Sequence, residues 1–295
     1  MKSPVFRPFR ILLILVFVLY MLAWLYINFL VADKESMLFN YFTDSYGIIA
    51  AIGGIAGFFA AKKWGGIRSV VGRSVVYFSL GLFFQFLGQV SYAIYFYVYH
   101  IDNPYPSFGE VFYFGSIPIY IMAVLNLANA AGFKASFKGI CNRIFAVLIP
   151  LGMMGVSYYL FLKDYVMDPS NMLVIFLDFG YPLGQAIFTA LAIMAYLYSR
   201  ETLGGVMKRY VIFILLSLVA QYVADSYFLV DTMRETWSAG GVSDLLFLIS
   251  YFLMGLAVLK FGDISTKMKS PNLKVEGAAF TSTPSKGKKT TKNKK

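Results

Sequence analysis

Four carboxylates stand out by position. Glu110, Asp178, Asp225 and Asp244 each open, or lie a few residues inside, a long apolar stretch. Two amides, Gln89 and Gln221, lie deeper in other such stretches, and tyrosines crowd the same regions, Tyr181 and Tyr227 among them. A charged side chain in hydrocarbon costs about 2.5–3.5 kcal/mol at the membrane centre and less near its surface, so such groups face a bundle interior or a wet cavity. Acids, amides and phenols brought together make a site for a small ligand, a cation or protons. Each type also has a purely structural use. A first-turn carboxylate complements the helix dipole, tyrosines gather at membrane interfaces, and glutamines bond helices to one another. Both uses are compatible with the sequence.

Catalysis finds little material. There is one histidine, His100, and one cysteine, Cys141. A zinc site of the H-E-x-x-H type, a cysteine-based metal cluster and an intrachain disulfide are therefore excluded. No Ser-His or Cys-His pair falls within the apolar stretches. No P-loop is present, and no segment between stretches is long enough for a soluble catalytic domain. The expectation is a protein that is not an enzyme and uses no cofactor or metal.

The elements that must position these groups are membrane helices. The chain has 295 residues, 59% hydrophobic and 14% charged, with mean hydropathy +0.66. Soluble domains carry about 45–50% apolar and about 25% charged residues. Eight stretches approach the ~20 apolar residues that cross a bilayer: 11–32, 46–61, 75–99, 108–131, 144–162, 172–199, 210–230 and 242–261. They are continuous rather than alternating, which points to helices and away from a β-barrel. The fold class expected is all-α: a polytopic membrane protein of eight transmembrane helices.

Basic residues orient them. The nine segments between and beside the stretches carry three, one, four, none, three, one, three, one and ten Lys or Arg in chain order, the last counted from Lys260. The heavy segments alternate with the light ones, which predicts both termini on the cytoplasmic side of the inner cell membrane. The net charge of +11 thus reads as an orientation signal, and nucleic acid is not an expected partner. The first stretch is too long for a signal peptide and lacks a cleavage site, so it reads as a retained anchor.

An internal duplication is also expected. Asp44 and Asp178 are 134 positions apart, and so are Glu110 and Asp244. Ser116 and Ser250 keep the same offset, and Gln89 and Gln221 each precede a Tyr-Phe pair by six residues. Two four-helix halves of one orientation make a parallel repeat. The expected organisation is a first half over 1–131, a second over 132–262, and a Lys-rich, disordered cytoplasmic tail over 263–295. Lys286, Lys288, Lys289, Lys292, Lys294 and Lys295 of that tail are candidates for contact with anionic lipid. Gly53 with Gly57, and Gly180 with Gly184, have the small-residue spacing of close helix packing.

The motifs resemble a known arrangement. The run from Asp102 to Pro118 is similar to a bacterial "P-x-P-S-x-A-D-x-x-Y-L-x-x-Y-P" pattern that opens a membrane helix. Asp178-Phe-Gly-Tyr-Pro-Leu-Gly, Ala224-Asp225-Ser-Tyr-Phe and Ser243-Asp244-Leu-Leu-Phe look like its partner elements. These belong to eight-span membrane sensor regions that precede diguanylate cyclase or histidine kinase domains. Here a Lys-rich segment follows the last span in place of such an output domain. The resemblance implies an outward-facing, ligand-binding cavity lined by Glu110, Asp178, Asp225 and Asp244, and a separate cytoplasmic signalling protein as partner. The other reading of the same carboxylates is a small transporter or channel for a cation or small solute.

Overall fold

The structure is a computed structural model; it describes residues 6–101, 104–130, 140–163, 165, 167, 169–202, 205–234 and 236–268. Among these residues the regular structure is helical. The helices are α1 (Arg7–Phe29), α2 (Met37–Ser45), α3 (Ile48–Lys63), α4 (Val70–Tyr97), α5 (Gly109–Ala130), α6 (Ile140–Ser157), α7 (Met172–Thr202), α8 (Gly205–Met233) and α9 (Val242–Met268). A π-helical turn, Tyr158–Leu162, prolongs α6. Among the described residues seven segments are long and apolar enough to cross a membrane, with α2 and α3 forming one of them, Met37–Lys63. The fifth expected stretch coincides with α6 and its π turn; its apolar helix, Val147–Leu160, is shorter than the other seven.

Six helices close a ring. α3 packs on α4, α4 on α5, α5 on α7, α7 on α8, α8 on α9, and α9 returns to α3. α1 lies outside against α9 and α3, and α6 outside against α7. The outward faces of α1 and α6 carry exposed Leu, Ile, Val and Phe, such as Leu15, Leu19, Val147 and Leu148. In water such faces would be unstable; in lipid they need no cover.

Small residues set how closely the ring closes. α3 buries Ala50, Gly53, Gly57 and Ala60. A Cβ on Gly53 would stand 2.9 Å from the Cα of Gly255 in α9, so two backbones touch there. A Cβ on Gly184 would stand 2.7 Å from the side chain of Ile117 in α5. Both small-residue pairs thus work as packing surfaces, α3 on α9 and α7 on α5.

The helices run antiparallel, so their ends collect into two plates. One plate, the basic end, holds Lys62 and Lys63 at the end of α3 and Arg73 in the first turn of α4. There Arg10 of α1 pairs with Asp263 of α9 at 2.5 Å, both largely buried. The indole of Trp64 donates to the carbonyl of Phe261 at 2.8 Å. The other plate, the mouth end, is tied by Trp24 and Asn28 of α1. They donate to the carbonyls of Gly241 and Gly240, just ahead of α9, at 3.1 and 3.0 Å.

Two boundaries differ from the sequence reading. The second span begins at Met37, not at 46, because α2 precedes a break at Tyr46–Gly47. Polar Asn40, Thr43, Asp44 and Ser45 lower the hydropathy of α2, while Phe39 and Phe42 bury one face of it and Ser36 caps its start. Consequently Asp44 does not open a helix but ends one. At the far end, residues 263–268 belong to α9 rather than to a tail, held by the Arg10–Asp263 pair. The six tail lysines, from Lys286 to Lys295, lie outside the described residues.

Candidate ligand cavity

Glu110 stands in the first turn of α5. The hydroxyl of Tyr92, from α4, donates to one of its oxygens and that of Tyr181, from α7, to the other. One carboxylate thereby joins three helices of the ring. Asp244, in the first turn of α9, does the same elsewhere. It accepts from the hydroxyl of Thr43 at 2.5 Å, the amide of Gly240 at 2.8 Å and the hydroxyl of Tyr46 at 3.4 Å. The break between α2 and α3 is what lets Thr43 and Tyr46 reach it. Gln89 of α4 donates to the carbonyl of Thr43 from the other side, and Gly47 lies so close to the Gln89 amide that a side chain there would collide with it.

Asp178 is nearer the opening. Tyr105, from the α4–α5 connection, donates to it at 2.6 Å, and Tyr165, from the α6–α7 connection, at 2.7 Å. Burial and the bond to Asp178 push the Tyr105 phenol above its ordinary pKa, so it stays a donor. Asp225 of α8 receives the amide of Gln221, one turn earlier, at 2.9 Å, and Gln185 of α7 lines the cavity with it. Deeper still, Gln85 donates to Ser116 at 2.8 Å and accepts from Tyr251 at 2.9 Å. Ser250 donates to the Gln221 oxygen at 2.7 Å. Each of these buried acids and amides therefore has at least one hydrogen-bond partner, which offsets part of the cost of burying it.

These groups surround one cavity of about 660 Å³ inside the ring. Its wall includes Asp44, Glu110, Asp178, Asp225 and Asp244 and, among the described residues, no Lys, Arg or His. Gln85, Ser116, Tyr120, Phe188 and Tyr251 are its deepest lining residues. Below them the ring is filled by buried Phe78, Leu82, Val124, Leu127, Ala192 and Leu218. The serines at that depth, Ser74, Ser79 and Ser217, donate to main-chain carbonyls of their own surroundings at 2.7–2.8 Å. Among the described residues no group of three or more His, Cys, Asp or Glu is close enough to hold a metal ion.

Of the residues singled out by sequence, Glu110, Asp178, Asp225, Asp244, Gln89, Gln221 and Tyr181 all line this cavity. Tyr227 does not; its side chain is exposed. The cavity-facing stripe of α8 runs Gln221, Asp225, Phe228, Leu229 and Thr232. At about 100° per residue, Tyr227 stands roughly 200° round from Asp225 and faces outward.

Other lining residues carry a weaker signal. Gln185 follows Asp178 and Tyr181 at the seven- and four-residue spacing of one helix face, which the sequence displays. Tyr105 and Tyr165 sit in connections, where no periodicity marks them. Asp44 is visible as an acid, but its inward placement depends on the break after α2. Comparison with family models, with curated proteins and with solved structures returned no match.

Proposed function

We propose that this chain is a membrane receptor of sensor type. It binds a small ligand in the cavity at the mouth end and passes the resulting helix movement to a separate cytoplasmic protein. The observation that carries this reading is a cavity that is polar at its wall and closed below. A solute path needs polar groups continuing to the other side. Beneath Tyr120 and Tyr251 the ring is filled mainly by buried apolar side chains, and the serines among them are bonded to main-chain carbonyls, which favours reception over transport.

In this reading the mouth faces outward, and both termini lie in the cytoplasm across the inner membrane. Its support is the distribution of charge. Lys62, Lys63, Arg68 and Arg73 belong to the end opposite the cavity, as the positive-inside rule requires of a cytoplasmic face.

The duplication belongs here too. Taking α2 and α3 as one span, the order α3–α4–α5 around the ring is followed by α7–α8–α9, and α1 and α6 each stand outside next to the helix that follows. Ser116 bonds Gln85 across α5 and α4, and Ser250 bonds Gln221 across α9 and α8. The two small-residue pairs lie where one half meets the other. A pseudo-two-fold axis along the ring would relate these features, and movement of one half against the other supplies the signal.

Purified protein in nanodiscs tests the reading by thermal unfolding against a library of small water-soluble compounds. At least one compound should raise the midpoint in the parent and not in the Asp178→Asn, Asp225→Asn double variant. The same compound should not accumulate in proteoliposomes. Accumulation above protein-free liposomes, or no stabilising compound, overturns the proposal.

A further inference from the structure

The cavity wall is chemically one-sided. Five acidic residues line it and, among the described residues, no Lys, Arg or His. An anion entering it would meet like charge on several sides, and a neutral molecule would leave that charge uncompensated. A cation is what the wall complements. A bare metal ion fits poorly, because the acids stand on separate elements and do not converge in threes among the described residues. Glu110 and Asp178 are each engaged by two tyrosine hydroxyls. A volume of about 660 Å³ lies within the ~300–1,000 Å³ that organic ligands occupy.

Rings stand beside one of these acids. Asp225 and Phe228 are three residues apart on α8, and both line the cavity. Phe228 packs edge to face with Trp237 at 6.1 Å and with Phe247 at 6.3 Å. Aromatic faces attract ammonium groups, most strongly where water is excluded. Two polar atoms are also left over. The indole nitrogen of Trp237 is buried with no hydrogen-bond partner, and the amide oxygen of Gln89, also unpaired, is turned toward Gly47. Buried orphans of this kind await a partner.

From these features we infer that the ligand is an organic cation, a quaternary or protonated amine with hydrogen-bonding groups of its own. Its charged head lies at Asp225 against Phe228, Trp237 and Phe247. The inference rests on the receptor reading and narrows it to one chemical class.

Calorimetry on the full chain in nanodiscs tests it, with choline, phenethylamine and spermidine as probes. The neutral 3,3-dimethylbutan-1-ol and the anionic 3,3-dimethylbutyrate are matched controls. At least one amine should bind saturably, and neither control should. Asp225→Asn and Phe228→Leu, each checked for a parent-like unfolding transition, should each weaken amine binding by about tenfold or more. Equal or tighter binding of a control overturns the cationic class and leaves the receptor reading standing. Amine binding unchanged in both variants overturns the placement at Asp225. Absence of binding by every probe and control overturns the class, and the receptor reading then falls only if the wider compound screen is empty as well.

Discussion

The bond between Thr43 and Asp244 holds the break of the second span against the start of the last. Thr43 donates to the carboxylate at 2.5 Å, and the Gly240 amide bridges both partners, at 2.7 Å to the Thr43 hydroxyl and 2.8 Å to Asp244. Asp244 is 3% exposed. Side-chain hydrogen bonds in membrane proteins are worth about 0.6 kcal/mol on average and about 1.7 kcal/mol at most. This one is short, charged and buried, so a coupling of ~1–1.7 kcal/mol is expected. Asp244→Ala alone should cost more, about 2–4 kcal/mol, because it also strands the Tyr46 hydroxyl and takes away one of the two acceptors of the Gly240 amide. Thr43→Val, Asp244→Ala and the double variant, unfolded reversibly in mixed micelles, complete the cycle. Effects that add to within ~0.5 kcal/mol would refute the reasoning, since that is how independent sites behave.

Other perturbations have definite outcomes. Gly53→Ala should destabilise by about 1–3 kcal/mol, because the new methyl must push apart two touching backbones, whereas Gly152→Ala, where a Cβ meets nothing within 4 Å, should be neutral or stabilising in the same unfolding assay. Arg10→Gln should loosen the basic end, read as faster proteolysis near residue 263, and the exchange Arg10→Asp with Asp263→Arg should restore part of the protection. Tyr105→Phe and Tyr165→Phe each remove one donor to Asp178; a loss of about 0.5–1.5 kcal/mol apiece is expected by thermal unfolding.

Much of the cavity is legible in the sequence because antiparallel helices impose it. Once the spans are counted, chain direction alone puts Glu110, Asp178, Asp225 and Asp244 at one end of the bundle. Inward facing is a finer matter. On α8 the difference between Phe228 and Tyr227 is one residue, and hydropathy does not separate two aromatics. The second span hides its first part because Asn40, Thr43 and Asp44 make α2 look like a loop, although Phe39 and Phe42 bury one face of it. Asp263 looks like the start of a polar tail because its partner, Arg10, is 253 positions away. The neighbour order around the ring depends on which small residues meet, and Gly53 against Gly255 becomes visible only when the helices are in place.

The cavity is polar, open at the mouth end and closed toward the basic end. A cysteine-free background, Cys141→Ser, carrying Gln185→Cys in proteoliposomes of known orientation tests it with a membrane-impermeant cationic methanethiosulfonate. Gln185 lines the cavity and is 3% exposed. Reagent applied at the mouth side should label it, and reagent applied at the basic side should not; labelling from the basic side, or from neither, would contradict the account.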